Sequence, residues 1–259
     1  MYPHEWLAVS YFAAIVIAAP GTQASALSKW LAAALSVLAT ILVLAGALTL
    51  PAIVRVWLPH VYLVLGYWLP AILVPSEFNR ALESWLLAKE NWWRRDAVNV
   101  PRLFLYAFEL SYLACYVLVP STFYLVWRVG DDIQIRRFWL SVLLAGYSCY
   151  FTIPWLMSRP PRLLMPVARS RPSVASLTEF LLARVSHMAN TFPSGHVAVT
   201  AAAAVTVYPV SPTAGLAMSV MTVGIAFGAV VGRYHFVVDV ILGGGLGVAA
   251  GLLSLAFLQ

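Results

Sequence analysis

Two short strings hold the residue types that do chemistry: Phe192-Pro193-Ser194-Gly195-His196 and Gly232-Arg233-Tyr234-His235-Phe236-Val237-Val238-Asp239. Each begins an apolar run, so each sets a histidine at a helix start near a membrane boundary. His235 and Asp239 are spaced i, i+4, which puts both side chains on one helical face. A carboxylate bonded to one imidazole nitrogen fixes the tautomer and makes the other nitrogen a better base or nucleophile. Pro193-Ser194-Gly195-His196 opens a second helix, where orphan N–H groups and the positive end of the dipole favour a bound phosphate. Gly195 permits close backbone approach there, Ser194 adds a hydroxyl donor, and His196 is placed to protonate a leaving oxygen. Two histidines, a carboxylate and nearby arginines are the parts needed to break and remake a phosphate ester. Taken singly, each string also has a plainer reading, as a polar contact between helices or as an ordinary helix start.

Arg159 and Arg162 of Ser158-Arg159-Pro160-Pro161-Arg162, and Arg233 two residues before His235, are candidate ligands for non-bridging phosphate oxygens. Arginines at such boundaries also bind lipid headgroups. Glu109, with Tyr112 beside it, falls inside an apolar segment; an intramembrane acid marks either a substrate cavity or a buried interhelical hydrogen bond. Cys115 and Cys149 lie in apolar segments with neither disulfide nor metal spacing and read as packing residues; no cofactor is expected.

The elements that must position these groups are read from composition. Of 259 residues, 62% are hydrophobic and 10% charged, against about 25% charged in soluble domains. Continuous apolar runs, not ten-residue alternations, give an all-α polytopic transmembrane helical bundle and exclude a β-barrel. The net charge of +6 arises from arginine-rich boundaries in a chain with no soluble basic domain. Nucleic acid is therefore excluded as a partner, and anionic headgroups or phosphorylated substrates are favoured.

About eight spans are predicted, near 5–20, 29–50, 52–74, 101–127, 138–157, 192–210, 213–231 and 235–258. Between the third and fourth, residues 76–96 form an amphipathic helix in the membrane interface, with Phe78, Leu82, Trp85, Leu86 and Trp92 on one face and Glu77, Arg80, Glu83 and Glu90 elsewhere. After the fifth, Ser176-Leu177-Thr178-Glu179 has capping-box spacing for a short helix through Arg184. Tight turns at Ser211-Pro212-Thr213 and Gly232-Arg233 make the last three spans alternate in direction. The starts of the sixth and eighth, and with them His196, Arg233, His235 and Asp239, then lie on one membrane face.

At these residues the chain resembles the type 2 phosphatidic acid phosphatase superfamily. Pro193-Ser194-Gly195-His196 is similar to its second signature, His235 and Asp239 to the H-x-x-x-D end of the third, and Arg159-Pro160-Pro161-Arg162 occupies the place of the first. The resemblance implies a six-helix catalytic core within residues 51–259 and an N-terminal transmembrane addition over 1–50. It implies a phosphohistidine on His235 oriented by Asp239, His196 as general acid, and no metal. The lysine seven residues before the first signature's Arg-Pro is missing, and Ala229 stands where the third has arginine. A Pro-Pro-Arg first signature with a shortened third looks more like the branch containing inositol phosphorylceramide synthases.

The expected activity is therefore a membrane lipid phosphatase acting on a phospholipid or isoprenoid phosphate. The alternatives are a phosphotransferase moving a phospho-headgroup between lipids, and a non-enzymatic transporter or scaffold. The expected location is the cell membrane. About 12 of the 16 Lys and Arg fall on the site-bearing face, which the positive-inside rule would make cytoplasmic. The resemblance favours an extracytoplasmic site, and several of those arginines have a phosphate-binding reason to be there.

Overall fold

The computed structural model describes residues 1–75, 77–94, 101–164, 180 and 190–258. Among the described residues, nine helices of more than two turns are α1 (Pro3–Ala18), α2 (Ala26–Thr49), α3 (Pro59–Ala71), α4 (Arg80–Arg94), α5 (Arg102–Val129), α6 (Asp132–Tyr150), α7 (Gly195–Val207), α8 (Pro212–Val231) and α9 (Val237–Phe257). Among the described residues there is no strand, only an isolated bridge pairing Ser158 with Asn190. The short helix expected after Ser176 lies, but for Phe180, outside the described residues. So does the side chain of Trp92.

Among the described residues, six stretches are long and apolar enough to cross a membrane: α2, Ala52–Ala71, α5, Asp132–Leu156, α8 and α9. The other two expected spans are helices of 16 residues (α1) and 13 residues (α7). At 1.5 Å per residue these measure roughly 24 and 20 Å, short of a hydrocarbon layer of about 30 Å. The fifth span begins six residues earlier than its hydrophobicity suggests. The cause is a capping box, in which Asp131 Oδ1 accepts the Gln134 N–H at 2.8 Å and Gln134 Oε1 accepts the Asp131 N–H at 2.9 Å.

α7 is the hub, packed against α6, α8 and α9 and buried along nearly its whole length. Its small residues meet a glycine stripe on α9. A Cβ at Gly243 would stand 2.4 Å from Ser194 O, and one at Gly247 2.2 Å from Ala198 O. Only glycine lets the two backbones approach this closely, and the approach brings the starts of α7 and α9 side by side. The α1–α2 hairpin packs outside α3 and α6, with Tyr11 stacked on Tyr147 at 3.8 Å.

α4 lies across the face where α7 and α9 begin. It does not turn its carboxylates to water: Glu83, Leu86 and Glu90 form its buried face, while Trp85 is 45% exposed. The surface beneath offers an arginine and free backbone donors, and carboxylates satisfy those better than apolar groups would.

Candidate active site

The site forms where the starts of α7 and α9 meet the connection after α6. Asp239 is the third residue of α9. Its Oδ2 accepts the Phe236 N–H at 3.1 Å and an Asn190 Nδ2–H at 2.6 Å. A carboxylate here is favoured both by the orphan donor and by the helix dipole. The same oxygen stands 3.4 Å from His235 Nδ1, long for a hydrogen bond but near enough to orient the ring. Both side chains are buried. With Nδ1 turned to Asp239, Nε2 is the nitrogen left for chemistry.

Backbone ties fix the segments to one another. Ser194 N–H donates to Asp239 O at 3.0 Å, Asn190 N–H to Ser158 O at 2.8 Å, and Arg162 N–H to Arg233 O at 3.1 Å. Thr152 stands seven residues before Arg159, where the resembled signature has its lysine, and its hydroxyl lies 2.6 Å from Phe192 O. Ser194 is the N-cap of α7, yet its buried hydroxyl makes no hydrogen bond among the described residues. Gly195 is demanded by packing, because a Cβ would stand 2.4 Å from the Tyr150 ring. His196 lies 5.9 Å from His235, ring to ring, with Nε2 3.2 Å from Tyr116 Oη.

The arginines separate. Arg162 lays its guanidinium 5.0 Å over the Tyr234 ring, and its buried Nη1 makes no hydrogen bond among the described residues. Tyr234 stacks on Tyr112 at 4.5 Å and donates its hydroxyl to Glu109 Oε2 at 2.9 Å. Glu109 thus holds Tyr234, and Tyr234 carries Arg162. Arg159 is engaged by Glu83, which accepts its Nε at 3.0 Å, its Nη2 at 2.8 Å and its backbone N–H at 2.8 Å. Those side-chain bonds outweigh burial and hold the Glu83 carboxyl below its usual range. Arg233 takes a φ of 62°, in the left-handed region that residues with a Cβ rarely enter. The turn it makes aims the Tyr234 and His235 N–H groups at Ala229 O, at 2.9 and 3.0 Å.

A cavity of about 520 Å³ leads away from this cluster. Arg162, His196 and His235 stand at one end, Tyr112 and Tyr116 flank them, and Leu63, Val64, Val119 and His60 line the rest. Arg159, Arg233 and Glu109 are not among its walls. α3 and α5 face each other across it, so it runs through the apolar layer. Among the described residues no group of three or more His, Cys, Asp or Glu is placed to hold a metal ion.

The PAP2 superfamily model matches residues 111–259, more than half of the chain. The chain belongs to the PAP2 superfamily. No curated protein and no solved structure matches it. The PAP2 match begins within α5 and takes in α6 to α9 with both histidines, Asp239 and Arg162, while α1 to α4 lie outside it. With six membrane-length apolar helices among its described residues, this PAP2 chain is a multi-pass membrane protein of a phosphatase and phosphotransferase superfamily.

Four residues at the site escape sequence reasoning. Asn190 and Tyr116 each contact a group proposed for catalysis, but Asn190 sits in an irregular connection and Tyr116 is one of several tyrosines in α5. Tyr234 was legible as a neighbour of His235, not as the seat of Arg162. Glu83 falls off the apolar face of the interfacial helix, and nothing local marks it as a partner for Arg159.

Proposed function

We propose that this protein hydrolyses a lipid phosphomonoester or diphosphate, of the phosphatidic acid or isoprenyl phosphate type, through a phosphohistidine on His235. The observation that carries the reading is the meeting of the His235–Asp239 pair, His196 and the Arg162 Nη1 donor at one end of an apolar cavity. The phosphate would bind Arg162, the Ser194 hydroxyl and the N–H groups at the start of α7, leaving the apolar chain to the cavity. Cavities of this size take up most of a drug-sized ligand's surface.

His235 Nε2 attacks phosphorus, and a P–N bond forms as the P–O bond to the lipid breaks. His196 gives its proton to the departing lipid oxygen. Water then loses a proton to His196 as its oxygen attacks the phosphohistidine, the P–N bond breaks and inorganic phosphate leaves. Asp239 holds the imidazole tautomer and offsets the positive charge that develops on the ring. Arg162 neutralises charge on the non-bridging oxygens in both steps.

The test offers purified protein phosphatidic acid, isoprenyl phosphates and diphosphates, and a headgroup phospholipid with ceramide or diacylglycerol. Release of inorganic phosphate, lost in His235→Ala and His196→Ala, supports the reading. A new headgroup lipid would instead make the acceptor an alcohol, and turnover undiminished in both variants would refute the site. We place the site on the extracytoplasmic side of the cell membrane, for which a reporter at the C-terminus, opposite the site, should read cytoplasmic.

A further inference from the structure

α4 touches all three segments that build the site, and it does so from outside the part of the chain that the PAP2 family covers. On the first segment, Glu83 holds Arg159 by side chain and backbone, and the Asn79 N–H, one residue before α4, donates to Met157 O at 3.1 Å. On the second, the Trp85 ring meets Phe192 edge-on at 6.3 Å. On the third, Glu90 Oε2 accepts the Val237 N–H at 3.2 Å. Val237 is the first residue of α9 and stands two positions after His235. Its N–H is one of the four orphan donors of that helix start, and Asp239 Oδ2 has already taken the Phe236 N–H beside it. Two buried carboxylates, one from α9 and one from α4, therefore share the start of the helix that sets the nucleophile.

We propose that α4 is a strap anchored by Glu83 on Arg159, and that Glu90 is a positioning residue for the phosphoryl transfer proposed above, on which this inference rests. Glu90 acts through the backbone: it seats the first turn of α9 and so fixes where the His235 and Asp239 side chains stand. Removing its oxygen strands the Val237 N–H and lets that turn shift, and a displacement of about 1 Å can cost a reaction about a hundredfold. Binding is governed by Arg162 and the start of α7, so the loss falls on kcat and not on KM.

The experiment compares wild type, Glu90→Leu, Glu90→Gln, Glu83→Gln and, on the exposed side of α4, Lys89→Ala. Phosphate release from a lipid phosphate is measured in nanodiscs, with hydrogen exchange of residues 235–242 measured in parallel. Glu90→Leu should lower kcat about 10- to 100-fold with KM within about twofold, and should speed exchange over 235–242 but not over 213–230. Glu90→Gln keeps an acceptor oxygen and should restore most of the turnover. Glu83→Gln should follow in the same direction more weakly, and Lys89→Ala should match wild type. Glu90→Leu with kcat within twofold of wild type and unaltered exchange would overturn the proposal. If Glu90→Leu does not fold, Glu83→Gln decides, because unchanged kcat and exchange in that variant overturn the strap. If wild type releases no phosphate from any lipid, the proposed function fails while the exchange data still judge the strap.

Discussion

Asn190 offers the sharpest test of how the proposed nucleophile, His235, is oriented. Asp239 Oδ2 accepts from Asn190 at 2.6 Å and from Phe236 at 3.1 Å, and faces His235 at 3.4 Å. The Asn190 bond is the shortest of the three and the only one given by a residue distant in sequence. Asn190→Leu removes it in a buried place where water cannot substitute. A hydrogen bond to a charged group is worth about 1.5–3 kcal/mol. If that loss appears wholly in the barrier, turnover falls about 10- to 150-fold, at tenfold per 1.4 kcal/mol. Asn190→Asp should do worse at neutral pH, because a second carboxylate would stand where the amide now donates to Asp239. The assay is kcat for phosphate release from a lipid phosphate at pH 7. Turnover of Asn190→Leu equal to wild type would refute the assignment of Asn190 as the anchor of Asp239.

Three further outcomes are expected. Arg162→Lys keeps the charge but loses both the planar stack on Tyr234 and the forked donors, so KM should rise about tenfold or more, read from substrate saturation curves. Tyr234→Phe strips the buried Glu109 carboxylate of a donor and should destabilise the protein by about 1.5–3 kcal/mol, seen as a lower thermal midpoint in detergent with the cavity still present. The Glu83–Arg159 pair should show a definite pH signature: Glu83 titrates below its unfolded value, so its stabilisation is complete above about pH 5 and fades as pH falls through the folded value. The difference in thermal midpoint between wild type and Glu83→Gln should therefore be open at pH 7 and narrow as the pH is taken below the usual carboxylate range.

What the sequence reveals follows from which interactions are local. The His235–Asp239 spacing is four residues, and tight turns at Ser211-Pro212 and Gly232-Arg233 determine the direction of the last helices, so bringing His196 beside His235 needs only helix geometry. The Gly243, Gly247 and Gly251 stripe was readable as close packing, because only small residues recur at that spacing. The start of α6 was also written locally, in Asp131 and Gln134, but hydrophobicity alone places it too late. The roles of the arginines were not readable. Arg159 and Arg162 are three residues apart in one loop, and what separates them is Glu83 on α4 and Tyr234 before α9, partners distant in sequence. The orientation of α4 was hidden for the same reason. Its apolar stripe suggests the buried side only if the surface beneath is apolar, whereas here that surface is Arg159 and the Val237 N–H.

Asp239 caps α9 with the same oxygen that faces His235. One atom thus serves both as the helix's terminator and as the compass of the proposed nucleophile. Until the first turn of α9 has wound, His235 has no fixed tautomer, and once it has wound the histidine is oriented without further adjustment. On the proposed function, winding that turn and arming His235 are one event, so an incompletely folded chain should be chemically inert toward the phosphates around it.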